Sequence, residues 1–457
     1  MDNLPITQKN AYLTLLIKDN CIYAHLAYYD FSAQRTYVIT DVTDLSPLKY
    51  RLDDIVFGRT FWYEYFISLE KVFDWDIVDK AWGDNIKMLE FVREEVGVSG
   101  IKIIIDDNQP FFKNIFTSLK SFSNDVVLRV LDDKYIEQLL RGLQQRLGYE
   151  DILWLDLDLA HFSFYRAKVM NTQPGILKKE KRESVEYSTS KINWSNEIGL
   201  IDFVKSSKLQ AFLSIDQSND DIMNKWANFI AHEHRYLSDS VTEDILRAFT
   251  TYQILNTKES NKEKFDSLGK NNGAIFLTGR IPQLLNKKEL LISIVDGLEL
   301  EGMVDVFIDN DNKVLTYGKS LVQKEQSRDI LVVKSDVLPK ASKLVIPYIP
   351  SKGRNKVVFS GQFLSQDTSS TEIYGINPLF EIFSFPNTEE SVIFEAELKN
   401  GATFAHLTSD NIQIMSSTKD LFYEDIVVDC RGRPVVYGPD AYTNRVKLRL
   451  WGCGNKE

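Results

Sequence analysis

Two stretches of this chain read as one object seen twice. Ala11–Tyr29 (AYLTLLIKDNCIYAHLAYY) and Asp151–Val169 (DILWLDLDLAHFSFYRAKV) each run as a strand, a tight turn and a returning strand, and their starts lie 140 positions apart. A duplicated β-hairpin predicts two similar α/β lobes, with a cleft between the twins to hold a ligand and the hairpin turns facing it. The composition permits this, since 457 residues of which 44% are hydrophobic and 26% charged can bury large cores.

The residues after each hairpin repeat as well. In the first lobe Tyr12–Ile17, Ile22–Tyr28 and Thr36–Thr40 read as a three-stranded meander. An aromatic-rich stretch (Phe61–Trp82) follows, then helix-like Lys87–Val96, the β-branched strand Ile101–Ile105, helix-like Pro110–Lys120, strand-like Val126–Val130 and helix-like Lys134–Leu147. In the second lobe Ile152–Asp156, Phe162–Val169 and Lys181–Tyr187 form the meander, and Asn219–Thr257 reads as one or two helices with Ser240 and Glu243 spaced as a capping box. Gly273–Leu277, Pro282–Leu298 and Val304–Ile308 then read as strand, helix and strand. The expected fold class is α/β, with duplicated lobes over 1–150 and 151–319. After a linker over 320–339, residues 340–457 turn to short strands broken by Gly, Pro, Asn and Ser, which predicts an all-β barrel or sandwich.

Charge and composition exclude several classes. A net charge of −11 opposes general binding to a phosphate backbone, so no nucleic-acid partner is expected. No apolar run approaches the ~18 residues of a membrane span, and the N-terminus MDNLPITQKN lacks the basic and apolar regions of a signal peptide, which predicts a cytoplasmic protein. Cys21, Cys430 and Cys453 are too far apart for a zinc or redox motif and read as free thiols. His232 and His234 flank Glu233 on a helix-like stretch, where residues two apart point away from each other and cannot share a metal. No Walker A loop, G-x-S-x-G elbow or H-E-x-x-H pair is present. The acidic pairs Asp53-Asp54, Asp106-Asp107 and Asp132-Asp133 read as helix caps or solvated turns; Asp106 stands out because it ends a buried strand.

With the hairpins, their order and the Ile275-Phe276-Leu277-Thr278-Gly279-Arg280 junction in view, the first 310 or so positions resemble the actin, Hsp70 and sugar-kinase superfamily. That resemblance implies two ribonuclease-H-like (actin-like) lobes around a nucleotide, Asp-x-Gly turns that admit phosphate and position metal-bound water, and a glycine pair over the adenosine. Gly279 matches the first of that pair and Arg280 replaces the second. Asp156 matches the metal-associated Asp, whereas Asp158 and Leu159 stand where glycine is favoured. The first hairpin carries Lys18-Asp19-Asn20 and no glycine. The nucleotide-binding candidates implied are Asp19, Asp156, Asp158, Thr278, Gly279 and Arg280, with Asp19 and Asp156 as magnesium ligands if ATP is bound; otherwise no cofactor is needed.

A narrower resemblance, carried by GAIFLTGRIPQLLNKKELLISIVD and DIVVDCRGRPV, is to the glutamate-mutase L-type accessory proteins. It implies a nucleotide-responsive partner of a large enzyme, such as a cobalamin-dependent mutase. Read without any family, Arg431 and Arg433 around Gly432 are candidates to clamp a carboxylate or phosphate, because guanidinium offers paired donors. The functional expectation is an actin-like scaffold or regulatory protein, a pseudo-ATPase that binds a protein partner or assembly and can oligomerise. The alternatives are a Mg-ATP-dependent reactivating ATPase and, below it, a small-molecule kinase with Asp106 as base.

Overall fold

The computed structural model describes residues 11–18, 21–30, 35–44, 65, 101–106, 127–159, 161–170, 184–193, 207–231, 239–262, 273–322, 337–364, 372–385, 392–404, 411–417, 421–433, 435, 440–451 and 453. The chain divides into two compact units, 1–146 with 311–338 and 147–310 with 339–457.

The first unit is built on five strands, β1 (Ala11–Lys18), β2 (Cys21–Asp30), β3 (Arg35–Asp44), β4 (Ile101–Asp106) and β5 (Val127–Leu131), in the order β3-β2-β1-β4-β5. The hairpin pairs are antiparallel, and β4 and β5 run parallel to β1. Helix α1 (Asp133–Leu147) follows; Asp132 starts it by accepting the Tyr135 amide at 2.7 Å. The readings over Phe61–Trp82, Lys87–Val96 and Pro110–Lys120 lie outside the described residues, save Tyr65, which is buried.

The second unit repeats that order. Its strands β6 (Asp151–Leu157), β7 (His161–Met170), β8 (Ser184–Asn193), β9 (Gly273–Thr278) and β10 (Gly302–Ile308) stand as β8-β7-β6-β9-β10, with the same antiparallel and parallel pairings as their counterparts. Between them lie α2 (Ser207–Phe212), α3 (Asn219–Ala231), α4 (Ser240–Ser260), α5 (Ile281–Leu284) and α6 (Lys287–Leu298). Helix α7 (Lys313–Val322), which occupies part of the expected transition, belongs to the first unit. The capping box is a correction: Asp239, not Ser240, caps α4 by accepting from the Val241 amide, and Glu243 instead holds the Asn286 amide and side chain. The segment expected as one helix over Pro282–Leu298 breaks at Leu285-Asn286, because Asn286 caps α6.

The β-rich tail does two things. β11 (Ala341–Ile346), β14 (Phe380–Ser384) and β17 (Tyr423–Asp429) lengthen the lobe's sheet beyond β10 in the order β10-β11-β17-β14. β12 (Val357–Leu364), β13 (Glu372–Ile376), β15 (Ile393–Leu398) and β16 (Asn411–Met415) form a separate antiparallel sheet, β13-β12-β15-β16. Strand alternation explains how one sheet serves two cores. On β11 and β17, Leu344, Ile346 and Val427 join the lobe's core with Leu153, Ile275 and Val304, while Val345, Ile426 and Val428 pack with Phe359 and Phe394 of the second sheet. Each such burial contributes roughly 1.5–3 kcal/mol. The tail's last helix, α8 (Ala441–Leu450), capped by Asp440, brings Leu448 and then Trp451 into the lobe's core. A buried polar knot adds to this: Asp305 Oδ2 accepts from Tyr149 and Tyr423, and Lys343 lies 2.8 Å from Asp305 Oδ1.

Candidate functional site

The site is built on two central strands whose every residue is buried, β6 and β9, which run parallel and bring Asp156 level with Thr278 at their carboxyl ends. Ligands of open α/β sheets bind beyond such ends. The Thr278 hydroxyl donates to Asp156 Oδ1 at 3.1 Å and accepts from the Trp154 indole at 3.0 Å. Trp154 stacks on Phe276, and Phe276 on Phe307, with centroids 5.5 and 4.5 Å apart. A rigid aromatic stack thus fixes the hydroxyl that fixes the carboxylate. Trp154 escapes a motif reading because it looks like any core residue; only its indole N–H, which seeks a partner when buried, hints at more.

The turn after β6 is closed upon itself. The Asp158 amide donates to the His161 carbonyl at 3.0 Å, and the Asp158 carboxylate accepts from the Leu159 amide at 2.7 Å. His161 stands between two carboxylates, Nδ1 3.5 Å from Asp158 and Nε2 3.9 Å from Asp156. No motif singled out this imidazole, since its importance comes from the turn that folds it back.

Gly279 has φ +97, and a Cβ there would sit 2.8 Å from the Leu157 nitrogen and closer still to its carbonyl. This glycine is needed by the approach of two backbone segments of the same lobe. Arg280 turns aside to Gln283 Oε1 at 2.8 Å, and Gln283 in turn reaches the Asn310 carbonyl. The structure therefore brings Asp156, Asp158, Thr278 and Gly279 together, with Arg280 one position beyond. Asp19, Asn20 and the His232–His234 stretch lie outside the described residues, and Lys18 is buried at the end of β1. Among the described residues no three His, Cys, Asp or Glu side chains converge as a metal site. Cys21, Cys430 and Cys453 are buried thiols outside any disulfide.

Arg431 and Arg433 hold anions that belong to the chain itself. Arg431 makes paired bonds to Asp296 (2.7 and 2.9 Å) and to Asp429 (2.8 and 2.9 Å), under Trp451 and Phe380. Arg433 bonds Asp429 and the Leu300 carbonyl. Burial would raise the Asp429 carboxyl, but the two guanidiniums overcome it and hold the group at about 2.

A five-stranded sheet of order 3-2-1-4-5 and the same order within an eight-stranded sheet, each opening with an antiparallel hairpin and continuing in parallel, define a mixed α/β chain with additional antiparallel pairing toward its carboxyl end, and its neighbours among solved structures have the actin-like fold. No protein-family model matches the chain, and no curated protein does, so nothing here bears out the glutamate-mutase resemblance. Among solved structures it is similar to a Bacteroides thetaiotaomicron protein with an actin-like ATPase fold and unknown function (11% identity, 69% of this chain and 99% of that one, TM-score 0.29). It is similar also to the PilM–PilN type IV pilus biogenesis complex (11%, 68% and 90%, TM-score 0.33) and to the Aquifex aeolicus Ppx/GppA phosphatase (8%, 58% and 67%, TM-score 0.28). At such identities and scores these likenesses carry no argument about activity.

Proposed function

We propose that this chain is an actin-like scaffold whose nucleotide site has become a fixed structural element, and that it works by binding protein partners. The observation that carries this reading is the closed turn after β6. Phosphate loops work because backbone N–H groups point outward at the ligand. Here the Asp158 N–H goes to the His161 carbonyl and the Leu159 N–H to the Asp158 carboxylate. A carboxylate beside a phosphate adds repulsion of several kcal/mol at close range in a partly buried site. Magnesium is satisfied by one or two carboxylates with water and phosphate oxygens, so Asp156 alone suits it. The phosphate half does not fit the residues present, and no catalytic step through Mg-ATP is derived.

A cytoplasmic location and an assembly as partner go with this reading. Among the described residues no helix is long and apolar enough to cross a membrane. The competing reading, a Mg-ATP-dependent reactivating ATPase, draws on the placement of Asp156 at the carboxyl end of β6 and requires the turn to open. Calorimetry with ATP and ADP, with and without magnesium, separates the two. The scaffold reading expects no saturable heat at millimolar nucleotide; Mg-dependent binding that disappears in Asp156→Ala would replace it with the ATPase.

A further inference from the structure

The outer face of the β13-β12-β15-β16 sheet carries a pattern that solvation alone does not require. Its register sets Glu372 and Glu395 in one cross-strand row on either side of Gln362, and Tyr374 and Glu397 in the next row on either side of Ser360. These rows line a cavity of about 340 Å³ whose charged side chains are three glutamates and one lysine, Lys399, a net of −2. Lys399 lies 4.0 Å from Glu397, while Glu372 accepts from the Tyr374 hydroxyl and Glu395 from Gln413 at 2.7 Å. Neutral donors orient those two carboxylates and leave their charge uncompensated. Apolar side chains border the acidic rows: Tyr374 and Ile376 on β13, and Ile393 opposite Met415 on β15 and β16, are all exposed.

We infer that this face docks an extended, amphipathic, basic segment of a partner protein, with Lys or Arg on Glu372, Glu395 and Glu397 and apolar residues on the bordering side chains. Period supports an extended chain: Glu395 and Glu397 point the same way two residues apart on one strand, roughly 7 Å, the spacing of alternate side chains in an extended partner. Number supports a polymer over a small cation, because one exposed ion pair contributes at most about 1 kcal/mol and several must act together with apolar contact. Charge opposes a second copy of this chain, whose net charge of −11 would meet an acidic face. The inference rests on the scaffold reading and gives it a surface.

Fluorescence anisotropy of a short labelled peptide alternating lysine and isoleucine, titrated with the full chain, tests it. The expected result is saturable binding that weakens about tenfold in Glu395→Gln/Glu397→Gln, weakens with added salt, and is unchanged in Glu301→Gln, an exposed glutamate elsewhere. All these positions are exposed or half-exposed, and matching circular dichroism melts confirm folding. If the double variant melts early, Tyr374→Ser takes its place with the same expectation. No saturable binding, or equal binding by the face variants and wild type, overturns the inference. Either outcome leaves the nucleotide calorimetry untouched, so this surface can fail while the scaffold stands, and the reverse.

Discussion

Arg431 shows what a buried charge does when it is paired on two sides. Its guanidinium lies over the rings of Trp451 and Phe380 and spans Asp296 on α6 and Asp429 at the end of β17. Removing it leaves two buried carboxylates with Arg433 alone, so Arg431→Met is expected to lower the unfolding free energy by about 3–5 kcal/mol in urea titrations. A loss under 1 kcal/mol would mean that the carboxylates simply take up protons. Asp429 also sets a pH limit. Because its folded value of about 2 lies below that of an unfolded Asp, its contribution is full above pH 4 and disappears as pH falls toward 2.

His25 acts in a higher window. Burial, then the charge of Lys313, lowers it to about 3, and its Nδ1 is paired with the Thr40 hydroxyl at 3.0 Å. The unfolded chain takes up this proton near pH 6.5 and the folded one does not, so stability falls as pH drops from about 6.5 toward 3. In His25→Leu the unfolding free energy measured between pH 7 and 4 is expected to flatten; an unchanged slope would contradict the buried neutral imidazole. The Arg431–Gly432–Arg433 turn was legible in sequence as an anion clamp, but its anions are 135 and 2 positions from Arg431, and only the fold brings the first of them in.

At the scale of elements, the glycine and cap positions decide where strands and helices stop. Gly279→Ala places a Cβ against the Leu157 backbone in a left-handed conformation, whereas Gly148, at φ +74, faces open space. Gly279→Ala is expected to cost more than 2 kcal/mol and Gly148→Ala about 1 kcal/mol, read from paired urea titrations. Equal costs would mean that the β6 turn yields. For α4, Asp239→Ala is expected to cost about 1 kcal/mol and Ser240→Ala close to nothing. The sequence carries both Asp239 and Ser240 in tandem, and spacing to Glu243 favoured the serine. Glu243 does not cap because Asn286, 43 positions on, offers it two donors. Local periodicity made the hairpins, β4, β5, β9 and β10 legible, since each of these strands is rich in β-branched, leucine or aromatic residues. β11, β14 and α8 were not, because short mixed runs such as ASKLVI and AYTNRVKLRL acquire their pattern only from the faces they meet.

Over the whole molecule, duplication is legible because it is written twice in the same polarity, whereas the place of the tail is not. The composition after 339 reads as a separate β module, yet β11, β17 and β14 continue the lobe's sheet and Leu448 and Trp451 enter its core. A two-core sheet looks in sequence like any alternating strand. The site was half legible for the same reason: Asp156, Asp158, Thr278 and Gly279 could be named from their order, but the bonds that close the turn, from Asp158 to His161 and from Leu159 to Asp158, depend on how the hairpin bends.

The most direct test of that closed turn is a crystal structure of the protein grown with excess magnesium and a non-hydrolysable ATP analogue. In that crystal the Asp158 carboxylate is expected still on the Leu159 amide and His161 still between Asp156 and Asp158, with no phosphate within hydrogen-bond reach of the turn. Phosphate oxygens on the 158 and 159 amides, with the Asp158 side chain swung away, would contradict that expectation and restore a working nucleotide site.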